Sequence, residues 1–188
     1  SFEIQGNVTE DGTFKAIGTN TANATAVYAK TLTVDGDFAG NVEASSQSGA
    51  AYGLNGSITV NGDFSGDIKV STTSGTAYGI NGSLFIGGSY SGDISSVDYG
   101  VKLATFGIDK AFSGNISVTD SSTAYGIYTG YLRVGTVFSG TVKSTGYNTS
   151  GTGTAYGIYA ATKAIDIDLV FGASPAGNPP TVINNHCA

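Results

Sequence analysis

The sequence predicts an all-β protein, a right-handed parallel β-helix (β-solenoid) with three short strands per rung and about seven rungs of roughly 26 residues. Three sets of residues recur in phase along the chain, and repetition at such a period is typical of units that stack on one another. Glycine accounts for 29 of the 188 residues, and methionine and tryptophan are absent. No segment has the apolar spacing of an amphipathic helix. The right-handed preference of parallel crossovers predicts the hand of the coil.

The first recurring element is an aromatic residue, a small residue, glycine, a short polar residue and then valine or isoleucine. It begins at Phe38, Phe64, Tyr90, Phe112 and Phe138, at intervals of about 26 residues, with one shorter interval between Tyr90 and Phe112. In a parallel coil, equivalent residues lie above one another, one strand spacing of about 4.8 Å apart. We therefore expect a stack of aromatic rings and, four positions later, an aliphatic ladder in the core.

Two small or polar columns follow the aromatic column. The glycines are Gly40, Gly66, Gly92, Gly114 and Gly140. This column is expected at a corner where a side chain does not fit or where φ is positive. The polar residues next to them are Asn41, Asp67, Asp93, Asn115 and Thr141. We interpret them as turn caps that accept hydrogen bonds from backbone N–H groups.

The second recurring element is Ala-Tyr-Gly followed by isoleucine or leucine, and the third is an apolar-x-apolar step that ends four residues before each aromatic residue. The tyrosines are Tyr52, Tyr78, Tyr125 and Tyr156, with weaker forms at Tyr28 and Tyr99. Each element is predicted to form a short strand. The tyrosine column has two interpretations: packing with the hydroxyls at the surface, or an exposed aromatic strip that binds sugar rings.

Weakened copies of the pattern occur at both ends of the chain. Ile4 to Val8 resembles the first element, with Ile4 in place of the aromatic residue, and Ile167 and Phe171 keep the offset of the third element. We therefore predict a repeat domain over 1–172.

The remaining residues, 173–188, form a proline-containing tail. In this tail Val182 and Ile183 are candidates for an added strand. The tail also holds His186 and Cys187, the only histidine and the only cysteine. Cys187 has two interpretations, an intermolecular disulfide or a free thiol.

Charge and composition exclude several classes of partner. The net charge is −6, and the lysines and arginines are scattered singly. This distribution provides no basic patch for nucleic acid. No apolar run approaches the length of a transmembrane helix, so we expect no transmembrane segment.

The sequence contains no recognisable catalytic or metal-binding set. The neighbouring His186 and Cys187 lack the spaced ligands of a zinc site. The pairs Asp35/Asp37 and Asp166/Asp168 would each lie on one side of a strand, but no basic partner repeats beside them. We expect a protein that is not an enzyme and binds no cofactor or metal; a polysaccharide-cleaving enzyme is the weakest interpretation.

Phe-Ser-Gly-(Asp/Asn)-Ile alternating with Ala-Tyr-Gly-Ile, in an acidic chain with one cysteine, resembles the repetitive passenger regions of bacterial autotransporter-type and related extracellular surface proteins. The resemblance is one of repeat texture and period over almost the whole chain. It implies a secreted parallel β-helix displayed at the bacterial cell surface, used for adhesion or for building a surface layer.

Two functions remain open at this point. In the first, the chain is a structural subunit that stacks head to tail into a filament, because the strand edges of the end rungs are available for pairing. The residues expected at this contact are Ile4, Val8, Ile167, Phe171, Val182, Ile183 and Cys187. In the alternative, the chain is an excised segment of an adhesin that binds host or matrix glycans. The residues expected there are Tyr52, Tyr78, Tyr125 and Tyr156.

Overall fold

The structure, a computed structural model, describes residues 1–120, 122–146, 154–166 and 181–186. These residues form two sheets of seven parallel strands each. The strands coil into a β-solenoid of about six turns. The predicted all-β parallel solenoid is therefore confirmed. Within the described ranges the chain has no helix that is long and apolar enough to span a membrane.

Consecutive strands alternate between the two sheets. Sheet 1 consists, in spatial order, of β1 (Phe2–Ile4), β3 (Ala24–Val34), β5 (Ala51–Val60), β7 (Ala77–Ile86), β9 (Tyr99–Ile108), β11 (Thr123–Val134) and β13 (Thr154–Asp166). Sheet 2 consists of β2 (Thr13–Gly18), β4 (Asn41–Ser46), β6 (Ile68–Thr72), β8 (Ile94–Ser96), β10 (Asn115–Asp120), β12 (Thr141–Gly146) and β14 (Thr181–His186). Each rung thus contributes one strand to each sheet.

The strands of one rung differ from the three short strands that the sequence predicts. The second and third recurring elements belong to one long strand: β5 contains both Tyr52 and Ile58. The Asn-Gly pair between them resembles a turn, and Gly56 has a φ of 136°. The parallel register nevertheless continues through it, with Gly56 opposite Gly82. At the aromatic residue of the first element, pairing is reduced to a single-residue bridge such as that between Phe38 and Phe64.

The aromatic stack predicted from the first element forms the centre of the core. Adjacent rings are 4.7, 5.2, 5.2 and 4.4 Å apart between centroids and nearly parallel. The stacked rings are those of Phe38, Phe64, Tyr90, Phe112 and Phe138, and all are at most 1% exposed. The aliphatic ladder is equally buried. Its members are Val42, Ile68, Ile94, Ile116 and Val142.

The glycine column is explained by close contact between rungs. A Cβ atom added to Gly66 would lie 2.1 Å from the carbonyl oxygen of Gly40, and one added to Gly92 would lie 2.1 Å from that of Gly66. Positive φ is found instead at Gly56 and Gly82. Of the two predicted reasons for this column, exclusion of a side chain is therefore the correct one.

The polar column forms the predicted turn caps. The side-chain oxygen of Asn41 accepts the backbone N–H of Asp67, the Asp67 carboxylate accepts that of Asp93, and the Asp93 carboxylate accepts that of Asn115. The bonds are 3.1, 2.9 and 3.0 Å long. Each cap therefore joins its own rung to the next one through a side chain.

Two assignments near the amino terminus are wrong in register. Val8, and not Ile4, bridges to Phe38 in the aromatic column, while Ile4 pairs with Val34. Tyr28 pairs with Asn55, and Thr25 occupies the place opposite Tyr52. Val8 lies 30 residues before Phe38, and Thr25 lies 27 residues before Tyr52, so the interval of 26 that separates most of the later rungs does not extend to the first ones.

Candidate functional site

The first rung leaves residues of the core columns uncovered. Phe2 lies in the column of Leu32 and Ile58, which are 3% and 2% exposed, whereas Phe2 is 62% exposed. Phe14 lies in the column of Val42 and is only partly buried. Its ring stacks on Phe38 at 5.9 Å between centroids. Phe2 and Phe14 thus lie in columns whose members in the later rungs are buried.

An open apolar recess of about 270 Å³ lies at this end of the solenoid. It is lined by Phe2, Ile4, Phe14, Val27 and Leu32, among others. β1 and β2 are the terminal strands of their sheets among the described residues, so each presents one edge without a paired strand. Apolar columns and free strand edges thus coincide on one surface, which we call the first-rung face.

Ile17 shows that exposure alone does not define this face. It is 67% exposed, slightly more than Phe2. Ile17 pairs with Ser45, and Ser45 with Ser71, so its column points outward from the solenoid and is polar in the next two rungs. It therefore serves as a natural comparison for Phe2.

Two of the predicted contact residues near the carboxyl terminus lie at the other end of the solenoid. Val182 and Ile183 are in β14, which pairs in parallel with β12 of the same chain. Val182 lies opposite Val142, and Ile183 opposite Lys143. The proposed added strand is therefore part of sheet 2. Ile167, Phe171 and Cys187 lie outside the described residues.

A second candidate site is a ladder of five stacked tyrosines on sheet 1, which we call the tyrosine ladder. Successive ring centroids are 4.9 to 5.0 Å apart, and the planes are within 11° of parallel. The members are Tyr52, Tyr78, Tyr99, Tyr125 and Tyr156, all of them partly buried. The four tyrosines predicted to bind glycans are thus brought together, with Tyr99 between them.

Two further tyrosines and a lysine pack against the ladder. Tyr128 stacks on Tyr159 at 5.2 Å and meets Tyr125 edge to face at 5.3 Å. The Nζ atom of Lys102 lies 4.7 Å from the ring centroid of Tyr99, within the range of a cation–π contact. These residues occupy the column of Asn55 and Asn81, which also contains Tyr28. The sequence analysis missed them because no aromatic residue recurs at a regular interval in this column.

Burial and neighbouring phenols raise the pKa of the three central ladder tyrosines. Burial is the main cause that raises the pKa of Tyr78, Tyr99 and Tyr125 above the ordinary value of 10.0. The adjacent tyrosines add to the shift, because a phenolate on one rung would repel a phenolate on the next. The raised pKa values keep the phenols of Tyr78, Tyr99 and Tyr125 neutral at physiological pH.

The stacking also limits what the ladder can bind. A sugar ring packs on the face of an aromatic ring, and the faces of Tyr78, Tyr99 and Tyr125 are covered by ring neighbours on both sides. Each ladder tyrosine is only partly exposed. The geometry thus favours the packing interpretation of this column.

Several carboxylates of the described residues are used in structural contacts. Asp37 and Asp63 accept backbone N–H groups of the next rung, at 2.8 and 2.7 Å. Glu43 bonds Lys15 at 2.8 Å, which lowers the pKa of the Glu43 carboxyl. The described ranges contain no group of three or more His, Cys, Asp or Glu side chains placed to hold a metal ion.

Comparison of the chain with protein-family models, with curated proteins and with solved structures finds no match.

Among the residues of the first-rung face, the sequence analysis identified Ile4 and Val8 but missed Phe2 and Phe14. Both were detectable in principle. Phe14 and Ala16 alternate with polar residues in Thr-Phe-Lys-Ala-Ile, the pattern of a half-buried strand. Only the register with β4 shows that Phe14 takes the place of Val42.

Proposed function

We propose that this protein is a non-enzymatic extracellular structural protein, a right-handed β-solenoid subunit that stacks head to tail into a surface filament or layer. The partner at the first-rung face is the last rung of a second copy. Such a contact joins two different surfaces and does not close on itself, so it propagates.

The observation that carries this proposal is the exposure of Phe2 in a column that is otherwise buried. Its neighbours in the column, Leu32 and Ile58, are at most 3% exposed, while Phe2 is 62% exposed. A further rung placed at the same spacing would bury Phe2, just as the two neighbouring rungs bury Leu32. Full burial of one phenylalanine side chain contributes about 1.5–3 kcal/mol.

Backbone pairing supports the same partner. The terminal strands β1 and β2 each offer an edge that matches a parallel strand. A second copy presents β13 and β14 at its other end, and both belong to parallel sheets. Stacking therefore extends both sheets with the geometry that each rung already uses.

The experiment compares Phe2→Lys with Ile17→Lys. Both residues are exposed, so both variants should keep the fold by circular dichroism. Phe2→Lys places a charge in a core column of the first-rung face, where stacking would bury it. Ile17→Lys adds the same charge on the outward surface. Sedimentation velocity measures the size of the assemblies formed by each variant.

We expect the wild type and Ile17→Lys to form large, elongated species, and Phe2→Lys to stay monomeric. Equal assembly in the two variants would overturn the head-to-tail contact at this face. A wild type that remains monomeric at high concentration would do the same.

The extracellular location rests on the resemblance of the repeat texture and on the acidic chain with one cysteine. It is tested by antibody labelling of intact source cells. Labelling only after the cells are permeabilised would contradict a surface location.

Glycan binding by a segment of an adhesin is the alternative. It has one supporting observation, the row of partly exposed tyrosines on sheet 1. Binding on a glycan array that is lost in Tyr125→Ala, with the fold retained, would support the alternative. The covered ring faces argue against this outcome.

A further inference from the structure

The tyrosine ladder brings several redox-active phenol side chains close together. Five phenols lie in consecutive rungs, with neighbouring centroids no more than 5.0 Å apart. The Tyr128–Tyr159 pair adds two more phenols beside its carboxyl-terminal end. Solvent reaches the partly buried ring edges, so an oxidant in solution can reach them too.

We propose that the tyrosine ladder is a cross-linking site, at which a one-electron oxidant joins neighbouring rungs through dityrosine bonds. The oxidant is of the class that removes single electrons from phenols, such as a peroxidase with hydrogen peroxide. The proposal is independent of head-to-tail stacking, because both tyrosines of each bond belong to one chain.

The chemistry balances within one pair of tyrosines. Each phenol gives up one electron to the oxidant and releases its hydroxyl proton, which leaves a phenoxyl radical with spin on the ring carbons next to the oxygen. Two such carbons on adjacent rings form a carbon–carbon bond. Their hydrogens then move to the two oxygens and restore both phenols. The net loss is two electrons and two protons.

The geometry favours this coupling in two ways. Parallel rings in register place equivalent carbons of Tyr78 and Tyr99 near one another, since the planes differ by only 9°. A radical on one ring lies beside a neutral phenol, with which it can exchange an electron and a proton. Two radicals on the same ladder can therefore meet on adjacent rungs.

Dityrosine bonds would also stabilise this fold. The chain has a single cysteine, so no disulfide can join its own rungs. A bond between tyrosines of adjacent rungs would close a loop about one repeat long, as a disulfide in that position would do. Closing such loops restricts the unfolded chain and opposes the peeling of rungs from the ends.

The experiment treats dilute, folded protein with horseradish peroxidase and hydrogen peroxide, and then identifies the linked peptides by mass spectrometry. We expect links between Tyr52 and Tyr78, Tyr78 and Tyr99, Tyr99 and Tyr125, and Tyr125 and Tyr156. Dityrosine fluorescence should be several times stronger than after the same treatment of urea-unfolded protein, with the peroxidase activity checked in urea on free tyrosine.

Two variants make the test specific. Tyr99→Phe keeps the stacked ring but removes the phenol, so both links to residue 99 should disappear while the Tyr52–Tyr78 link remains. Tyr28→Phe removes a phenol that is 74% exposed and has no described ring contact, and should leave the pattern unchanged.

The proposal is overturned if folded protein yields no links between rungs although free tyrosine couples in the same mixture. It is also overturned if folded and unfolded protein give the same set of links, because the ladder would then not direct the coupling.

Discussion

The ring of Tyr90 lies 5.2 Å from that of Phe112 and within 4° of parallel, yet only Tyr90 brings a polar atom into the core stack. Its hydroxyl is fully buried and has no hydrogen-bond partner among the described residues. The other members of the stack are phenylalanines, so the fold does not require the hydroxyl. The Tyr90 hydroxyl therefore tests whether the core excludes hydrogen-bond partners, water included, around this ring.

Replacement of Tyr90 by phenylalanine should stabilise the protein. The substitution removes an unpartnered polar group without leaving a large cavity, and we expect a gain of about 1 kcal/mol in the free energy of unfolding. Urea unfolding followed by circular dichroism measures it. The reverse change, Phe64→Tyr, is the control and should destabilise the protein. A loss of stability in Tyr90→Phe would show instead that the Tyr90 hydroxyl has a partner.

The advantage of Tyr90→Phe should grow in alkaline solution. Burial raises the pKa of Tyr90 well above its ordinary value of 10.0. A raised folded-state pKa means that the stability contribution is complete below the unfolded pKa and is lost as the pH rises above it. The gap between the two proteins should widen by up to about 1.4 kcal/mol per pH unit above 10.

Unfolding of both proteins at about pH 8 and about pH 11 checks this widening. Ionisation of the other tyrosines is common to both proteins and cancels in the comparison. If the stability difference does not change with pH, Tyr90 ionises as readily in the folded protein as in the unfolded chain, which would contradict a raised pKa.

Gly66→Ala should destabilise the solenoid by about 2 kcal/mol or more. The new Cβ atom would lie 2.1 Å from the Gly40 carbonyl oxygen, so the backbone of two rungs must separate. Gly107→Ala is the matched control, because its Cβ would meet only the Phe85 ring, at 3.2 Å. Phe85 is itself 39% exposed and able to move. Equal losses in the two variants would contradict the close contact between rungs.

Asp63, which also accepts a backbone N–H of the next rung, tests whether such contacts between rungs act by hydrogen bonding or by charge. Its carboxylate accepts the Ser89 backbone N–H at 2.7 Å. Asp63→Ala removes the acceptor and should cost about 1 kcal/mol. Asp63→Asn keeps an acceptor oxygen and removes repulsion between Asp63 and Asp37 in the preceding rung, so it should retain most of the stability. An equal loss in both variants, measured by thermal unfolding, would assign the effect to the charge.

The regular part of the solenoid was predictable because equivalent residues recur at a fixed spacing. Phe38, Phe64 and Tyr90 are each one full period apart, and the structure stacks them as expected. The glycine and turn-cap columns follow from the same spacing. Where the spacing changes, as in the first rung, the sequence pattern placed Ile4 in the wrong column.

Other features depend on contacts that no repeat shows. The continuity of β5 through Gly56 was missed because an Asn-Gly pair usually indicates a turn. Tyr128 lies beside the tyrosine ladder, but its column contains Tyr28, Asn55, Asn81 and Lys102 in the preceding rungs, so no repeated residue marks it in the sequence. The first-rung face is recognised only when the exposure of Phe2 is compared with that of Leu32 and Ile58 in the same column.

Mass per length of the assembled protein, measured by scanning transmission electron microscopy, tests the central claim most directly. One chain of 18.9 kDa has seven strands in each sheet, which span about 34 Å at one strand spacing per rung. Head-to-tail stacking therefore predicts filaments one solenoid wide, with about 5 to 6 kDa per nanometre. Dispersed rods about 34 Å long, or aggregates without a defined mass per length, would contradict it.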